Sequence, residues 1–584
     1  MPTTTAAGDR RIATISATVA RAWPNRYDLI VFIAIGALFV AIVHGAKSMH
    51  RPLEGLAANP VSLDPLNLPQ YALLTTMRMF AALGFSLLFT FLVAPLAAKS
   101  KKAERVIIPA LDILQSVPVL GFLTFTVIFF MNLFPGSQLG AELAAIFAIF
   151  TSQAWNMTFS FYQSLKTVPR DLEEITIHLR LSPWQRFWKL DAPFATPGLV
   201  WNMMMSMSGG WFFVVASEAI SVGDTKITLP GIGSYLSLAI SERNIGAVAW
   251  AVGAMGVVIM LYDQLLFRPI VAWSDKFSVE LVAAQEQPKS WVLDLLRRTR
   301  LVQAITGFVS GLLDMFSGNV RLLTKQIPEP KVNGVASRLF DWAFNLALLA
   351  VVAWALHSVI SYVSATLGWP DVEEAVTGGF ITFVRVIILI AIATLIWVPI
   401  GVYVGLRPAM AERVQPLAQF LAAFPANVLF PFVVMGIVAY KLNPDVWLSP
   451  LIVLGTQWYI LFNVIAGASV FPADLREASK IYQLKSWLWW RKVILPGIFP
   501  YYVTGALTAS GGSWNASIVA EVVSWGDTKL EARGLGAYIA NATEAGDYHR
   551  VVLGIGVMCV FVVTLNRALW RRLYVLADRR LRIQ

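Results

Sequence analysis

Apolar runs separated by short polar, basic loops fill most of this chain. Runs long enough to cross about 30 Å of hydrocarbon lie near residues 29–45, 72–98, 107–134, 139–165, 197–221 and 246–270. A polar, basic stretch from about 271 to 337 interrupts them. Six further runs follow near 341–363, 380–406, 415–440, 448–470, 498–523 and 551–577. This pattern predicts an all-α integral membrane protein with twelve transmembrane helices, six on each side of the interruption.

The two sets of six are copies. "DLEEITIHLRLSPWQRFWKLDAP" begins at Asp171 and "DLREASKIYQLKSWLWWRKVILP" at Asp474, 303 positions later. Elsewhere "KKAERVIIP" faces "PAMAERVQP", Pro118 faces Pro425, and "VGDTKITLPGIGSYL" faces "WGDTKLEARGLGAYI". Self-similarity of this length means two copies of one module. The expected organisation is a segment 1–28, a first module 29–275, a linker 276–337 and a second module 338–584. Loops 99–105, 166–189, 407–413 and 474–492 hold 16 Lys or Arg, against 8 in the alternate loops. The positive-inside bias therefore puts both charged copies and both termini in the cytoplasm, with the modules parallel. Within the linker, "WVLDLLRRTRLVQAITGFVSGLLDMF" has apolar residues at helical spacing with Arg297, Arg298 and Arg300 among them. A span there would invert the second module against the charge bias, so the expectation is an amphipathic helix on the inner membrane surface.

Composition agrees with a bilayer and removes other classes. The 584 residues are 57% hydrophobic and 14% charged, with mean hydropathy +0.64. The net charge of +11 lies in short loops and at the chain ends, which makes nucleic acid a poor partner. One cysteine, Cys559, allows neither a disulfide framework nor a thiolate cluster. The first apolar run is followed by no small-residue cleavage pattern and reads as a retained membrane helix. There is no phosphate-binding G-x-x-x-x-G-K-[ST], no metal spacing and no nucleophile elbow, so no catalytic or metal residue is assigned and the chain is not expected to be an enzyme.

Each charged copy starts with an acidic residue suited to a helix N-cap, Asp171 or Asp474, with another acid in the first turn. Each ends at a proline, Pro193 or Pro496, where the chain re-enters the membrane. "EITIHLR...LDAP" from Glu174 to Pro193 and "EASKIYQ...VILP" from Glu477 to Pro496 resemble the "EAA" loop of permeases in binding-protein-dependent ABC importers. The whole chain resembles two fused copies of the permease type serving nitrate, bicarbonate, taurine and alkanesulfonate import. "VASEAI...GIG" and "VAEVV...GLG" add to the likeness, as do Arg78 and Arg385 near the outer end of the second helix of each module.

That resemblance implies the type I importer permease fold. It implies a coupling helix in each loop that docks on an ATPase subunit, anchored by Glu174 and Glu477, with Trp184 and Trp487 at matched places. It also implies two ABC ATPase subunits that bind ATP and Mg, a periplasmic or lipid-anchored substrate-binding protein, and a bacterial inner-membrane location. No cofactor belongs to the chain itself. The loops depart from the family at Arg180 and Gln483, where glycine is usual. Glycine takes left-handed backbone angles freely and other residues do not, which predicts either a more helical turn or an Arg180 that contacts the ATPase. Ile175 and Thr176 replace two alanines, so the two dockings are expected to differ.

Ionisable groups at membrane depth are functional candidates by default. Glu218 and Glu521 stand at matched positions near the outer end of the fifth helices. One account pairs Arg78 and Arg385 each with the Glu of its own half as a structural clamp; the other turns the arginines toward an arriving anion. Gly209 and Gly210, and Gly511 and Gly512, precede Trp211 and Trp514, which are gate candidates or interfacial anchors. Asn515 faces Phe212 across the repeat. Gln153 and Gln457, with Asn156 and Asn463, offer neutral donors for an anion's hydration shell or bonds between helices. The favoured function is import of a small anionic solute through alternating access between the halves. A secondary, ion-coupled twelve-helix transporter would instead need Glu218 and Glu521 as proton carriers, and a non-transporting scaffold would use the linker and basic ends.

Overall fold

The computed structural model describes residues 26–50, 52, 60–116, 119–222, 225–277, 290–299, 334–469, 471 and 473–580. They are almost entirely helical, with two small β-hairpins. Among the described residues, eight helices are long and apolar enough to cross a membrane: within 27–49, 65–99, 183–218, 245–277, 342–364, 369–405, 486–520 and 548–577. Two bent helix pairs raise the number to ten.

The bends explain where the structure parts from a simple reading of twelve straight runs. The run at 415–440 is split, with Leu417–Ala423 and Ala426–Ala439 meeting at 77°. Pro425 stands in the break, where it lacks an N–H and forces its predecessor Phe424 out of helical angles; Phe424 is extended, at φ −72° and ψ 127°. Pro444–Leu454 and Trp458–Ser469 meet at a further 44° bend. In the first copy, Lys101–Ser116 ends just before the matched Pro118 and Val119–Leu133 follows. Helix Gln138–Lys166 is long enough to span, but its Ser, Gln and Asn content keeps it out of the apolar group.

The described residues form two compact units. One gathers residues 26–48, 160–204 and 260–299 and carries the first charged loop. Of the linker it shows helix Trp291–Arg298, capped by Ser290, whose hydroxyl accepts from the Leu293 N–H. The rest of the expected linker helix, including Arg300, lies outside the described residues, as does most of segment 1–28.

The other unit takes residues 60–159, 205–259 and 334–580, and so contains parts of both copies. Its tightest packing is among Trp369–Gly405, Trp458–Ser469 and Leu495–Ala520. Small residues permit it: a methyl group on Gly405 would stand 2.6 Å from the Ile465 carbonyl oxygen, and one on Gly505 2.7 Å from that of Tyr459. Without water to drive helices together, such close approach supplies the attraction. Helix Gly334–Ser364 behaves oppositely, since Leu346, Leu349 and Trp354 all lie open. A largely apolar, unburied helix of 31 residues is stable only against lipid.

Each copy closes its fifth-run helix with a hairpin. Ala219–Val222 pairs antiparallel with Thr225–Thr228, and Val522–Trp525 with Thr528–Glu531, in the same register. Matched π-turns recur at Phe187–Asp191 and Trp490–Ile494, and again at Asp263–Phe267 and Asn566–Trp570. Single π-turns cost helix hydrogen-bond geometry and tend to sit where a helix must be re-aimed; their repetition marks them as part of the module.

Candidate functional site

Two ion clusters hold the C-terminal ends of the fifth-run helices. In the first, Arg78 meets Glu142 through two bonds, Nε to Oε2 at 2.6 Å and Nη2 to Oε1 at 2.8 Å. Its Nη1 donates to Glu218 Oε1 at 2.7 Å and to the Pro230 carbonyl at 2.9 Å. The Thr75 hydroxyl donates to Glu218 at 2.7 Å and accepts from the Ile232 N–H at 3.0 Å. Gln138 donates to Glu142 at 2.9 Å. Two carboxylates thus share one guanidinium, and neutral donors meet the remaining charge, which a dry site requires.

The second cluster repeats this with one change. Arg385 Nη1 donates to Glu521 Oε1 at 3.1 Å and to the Arg533 carbonyl, and Nη2 donates to Asp445 Oδ1 at 3.0 Å. Thr382 plays the part of Thr75, donating to Glu521 at 2.8 Å and accepting from Leu535 N–H at 2.9 Å. Aspartate is one methylene shorter than the Glu142 it replaces, so the bidentate contact becomes a single one.

The G-x-G pattern in each copy is the seat of these glutamates. Glu218 Oε2 accepts from the Gly233 N–H at 2.7 Å, and Glu521 Oε2 from Ala537 N–H at 3.1 Å. A methyl group on Gly231 would stand on the Glu218 carboxylate, and one on Gly534 on that of Glu521. Both glycines are extended, at φ −178° and 174°, so close approach and not a special dihedral demands them.

Sequence reasoning singled out Arg78, Arg385, Glu218 and Glu521, and missed Glu142, Asp445, Thr75 and Thr382. A signal for each existed. Thr stands three residues before Arg in both "TTMR" and "TFVR", which puts both on one helix face, and Glu142 and Asp445 are acids at the 303-residue offset.

Around the pseudo-symmetric centre, the structure re-sorts the polar candidates. At that offset Gln153 matches Thr456, not Gln457. Gln153 is buried against Gly210, and a methyl there would meet its Nε2 at 3.2 Å; Thr456 bonds instead to Ser513, which replaces Gly210, at 2.9 Å. Large against small in one copy becomes medium against medium in the other. Gln457 accepts from the Trp397 indole N–H at 2.9 Å. Trp211 and Trp514 are fully buried, and Trp514 stacks on Phe561 at 6.1 Å. Of these, Thr456 lines the cavity described next, and Gln153, Gln457, Trp211 and Trp514 do not.

That cavity, of about 110 Å³, is walled by both copies within one compact unit. Its polar wall residues include Gln115, Asn156, Tyr459 and Asn515, and its apolar ones Phe212, Phe213 and Phe424. Among the described residues no charged side chain lines it. Asn515 and Phe212 occupy matched positions, so the two walls differ.

The charged loops have a common backbone and unlike side chains. Helix Arg170–His178 is capped at Pro169, so Asp171 lies in its first turn and is not the N-cap expected of it, because the helix begins one residue earlier. Helix Arg170–His178 and helix Ala473–Ile481 are each followed by a left-handed residue, Arg180 at φ 50° and Gln483 at φ 50°. The turn therefore keeps the geometry that glycine would favour, and the more helical alternative does not occur. Glu174, Arg180, Trp184, Glu477, Gln483 and Trp487 are all exposed, while Pro193 and Pro496 are half-buried at the return into the membrane. Ser182 and Gln185 form a reciprocal cap in the first loop, and Arg186 bridges Glu173 and Asp191. At the matched places the second has Lys485, Leu488, Trp489, Arg476 and Ile494, and an extra left-handed residue, Ser486 at φ 50°.

Comparison with known proteins agrees with this duplication. A bicarbonate transport system permease protein of Synechococcus elongatus is 28% identical over 165 residues, 28% of this chain and 56% of that protein. A nitrate import permease protein of Leptolyngbya laminosa is 26% identical over 171 residues, covering 29% and 58%. A taurine transport system permease protein of Escherichia coli is 26% identical over 216 residues, covering 36% and 72%. The chain spans a little over half the length of the first two. The model of the binding-protein-dependent transport system inner membrane component matches it twice, at residues 86–271 and 397–583. With both copies matched and well over half of its residues covered, the chain belongs to the family of inner membrane components of binding-protein-dependent transport systems.

Proposed function

We propose that the chain is the complete membrane passage of an ATP-driven importer, with the two permease subunits such a system needs fused into one. The single observation that carries this reading is the duplicated family module, each copy with an exposed, acid-started loop helix closed by the same left-handed turn. Two ATPase subunits bind ATP and Mg and press on these loops from the cytoplasm, Glu174 and Glu477 anchoring the contacts. A binding protein outside, periplasmic or lipid-anchored, delivers the solute, and the halves rock to expose the passage alternately. Both termini lie in the cytoplasm. The solute is small and anionic, by analogy with relatives named for bicarbonate, nitrate and taurine transport.

Ion-coupled transport fits less well. Its proton carriers would be Glu218 and Glu521, yet each is tied to an Arg, a Thr hydroxyl and a backbone N–H, and breaking such a set for every proton is costly.

The test is purification of the full chain from its native host's membranes, read for a co-purifying ABC ATPase. Wild type is expected to retain two ATPase copies, and the double variant Glu174→Ala/Glu477→Ala to lose them while still folding. A chain that never retains an ATPase, or uptake that survives ATP depletion and collapses with the proton gradient, overturns the reading.

A further inference from the structure

The matched ends of the two sixth runs carry opposite charge. Residues 263–281 hold Arg268 and Lys276 against Asp263, Asp275 and Glu280, a formal charge of −1; residues 566–584, at the 303-residue offset, hold six arginines against Asp578, a formal charge of +5. The first copy also uses its cations internally. Arg268 Nε donates to Asp263 Oδ2 at 3.0 Å, and Lys276 Nζ stands 4.5 Å and 4.6 Å from the ring centres of Trp273 and Phe277. In the second copy each of those partners is gone: Asn566 replaces Asp263, Leu576 replaces Trp273 and Arg580 replaces Phe277. Arg567, Arg571 and Arg572 are exposed and form no ion pair among the described residues.

The helix that follows has the make-up of an interface. Helix Arg571–Arg580 continues the sixth run through the π-turn Asn566–Trp570 and packs on helix Leu495–Ala520. Trp570 and Ala577 are buried, whereas Tyr574, Val575 and Leu576 lie open. Val575 stands four positions from Arg571 and three from Arg572, which places all three on one face. Open apolar side chains beside guanidinium groups are costly in water and suited to the level of phospholipid head groups.

We propose that helix Arg571–Arg580 docks on the head groups of anionic phospholipid, with Arg567, Arg571 and Arg572 holding the second copy to the membrane surface while the first copy has no counterpart. A guanidinium pairs with phosphate through two parallel N–H donors, and each arginine at an anionic surface is worth about fivefold in binding. The apolar neighbours select a lipid over free phosphate. By the orientation proposed above, the leaflet is the cytoplasmic one. The inference depends on neither the ATPase nor the solute.

The test uses the full chain in nanodiscs of phosphatidylcholine, with phosphatidylglycerol added in steps. A nanodisc presents the same lipid on both faces, so the result is independent of orientation. An environment-sensitive fluorophore is attached at Val575→Cys in a Cys559→Ala chain, and in a second preparation at Ala272→Cys, the matched position of the first copy. Emission at position 575 is expected to rise with phosphatidylglycerol and to fall back in high salt, and emission at position 272 to stay constant. Arg567→Gln/Arg571→Gln/Arg572→Gln should abolish the rise, since three arginines together amount to about a hundredfold. The triple exchange to lysine should keep most of it, and thermal unfolding of both triple variants in detergent should match the parent because the three side chains are exposed. A response equal at both positions, a rise that survives the glutamine exchanges, no rise at all, or the same rise from inorganic phosphate in neutral nanodiscs overturns the assignment.

Discussion

The two ion clusters share a plan and differ in how dry they are. Arg78, Glu142 and Glu218 are 0%, 1% and 0% exposed, whereas Arg385, Asp445 and Glu521 are 11%, 40% and 1% exposed. The second cluster, with aspartate in place of glutamate, is the one open to solvent, although both hold a helix end to a G-x-G turn in the same way. The lesson is that duplication preserves the backbone device, here a glutamate seated on two glycines, while the charges around it drift. The charged loops repeat that lesson: the left-handed turn is kept at Arg180 and Gln483, while the cap and ion pairs survive only in the first.

The comparison is broken most forcefully by removing the seated carboxylates. Glu218→Ala leaves a guanidinium in a dry site and is expected to cost about 3–5 kcal/mol. Glu521→Ala, beside a partly hydrated Arg385, is expected to cost about 2 kcal/mol. Thermal unfolding in detergent measures both, and equal losses would mean that the difference in exposure carries no energetic weight. Gly231→Ala and Gly534→Ala come next, at about 1–3 kcal/mol each, and here the two copies should agree because both methyl groups strike a carboxylate. A smaller contrast is expected in the loops: Ser182→Ala should cost about 1 kcal/mol, read as faster amide exchange over residues 184–186. Lys485→Ala, which removes no cap, should stay within about 0.5 kcal/mol. The smallest effect is expected of Arg180→Gly and Gln483→Gly, a gain of a few tenths, about 0.5 kcal/mol at most. Relief of left-handed strain is there set against the entropy of a glycine. A loss in either would show that the side chain, not the turn, stabilises the loop.

Legibility varied with the range of the interaction. The apolar runs and the duplication read directly because membrane spans need many apolar residues in a row and a repeat compares the chain with itself. The breaks read less well: Pro425 was visible as a matched proline, but a 77° bend depends on which neighbours receive the two half-helices. Arg78 and Glu218 were both singled out while their relation was left open, since 140 residues separate them. Gln153 was matched to Gln457 by residue type, where offset and packing against Gly210 select Thr456. The cavity wall residues Gln115 and Tyr459 went unnoticed because nothing local marks a side chain as facing a space that distant segments enclose.

The sequence by itself determined the class of the molecule, its two-fold plan and the loops that differ from membrane helices, because hydropathy and charge act residue by residue along a chain. Tertiary structure alone decided which acids close on which arginine, that the glycines are seats for carboxylates, and which residues of the two copies wall the central cavity. Those outcomes depend on distances between segments far apart in the chain, and a hydrogen bond or a desolvated charge has its energy only once such distances are fixed.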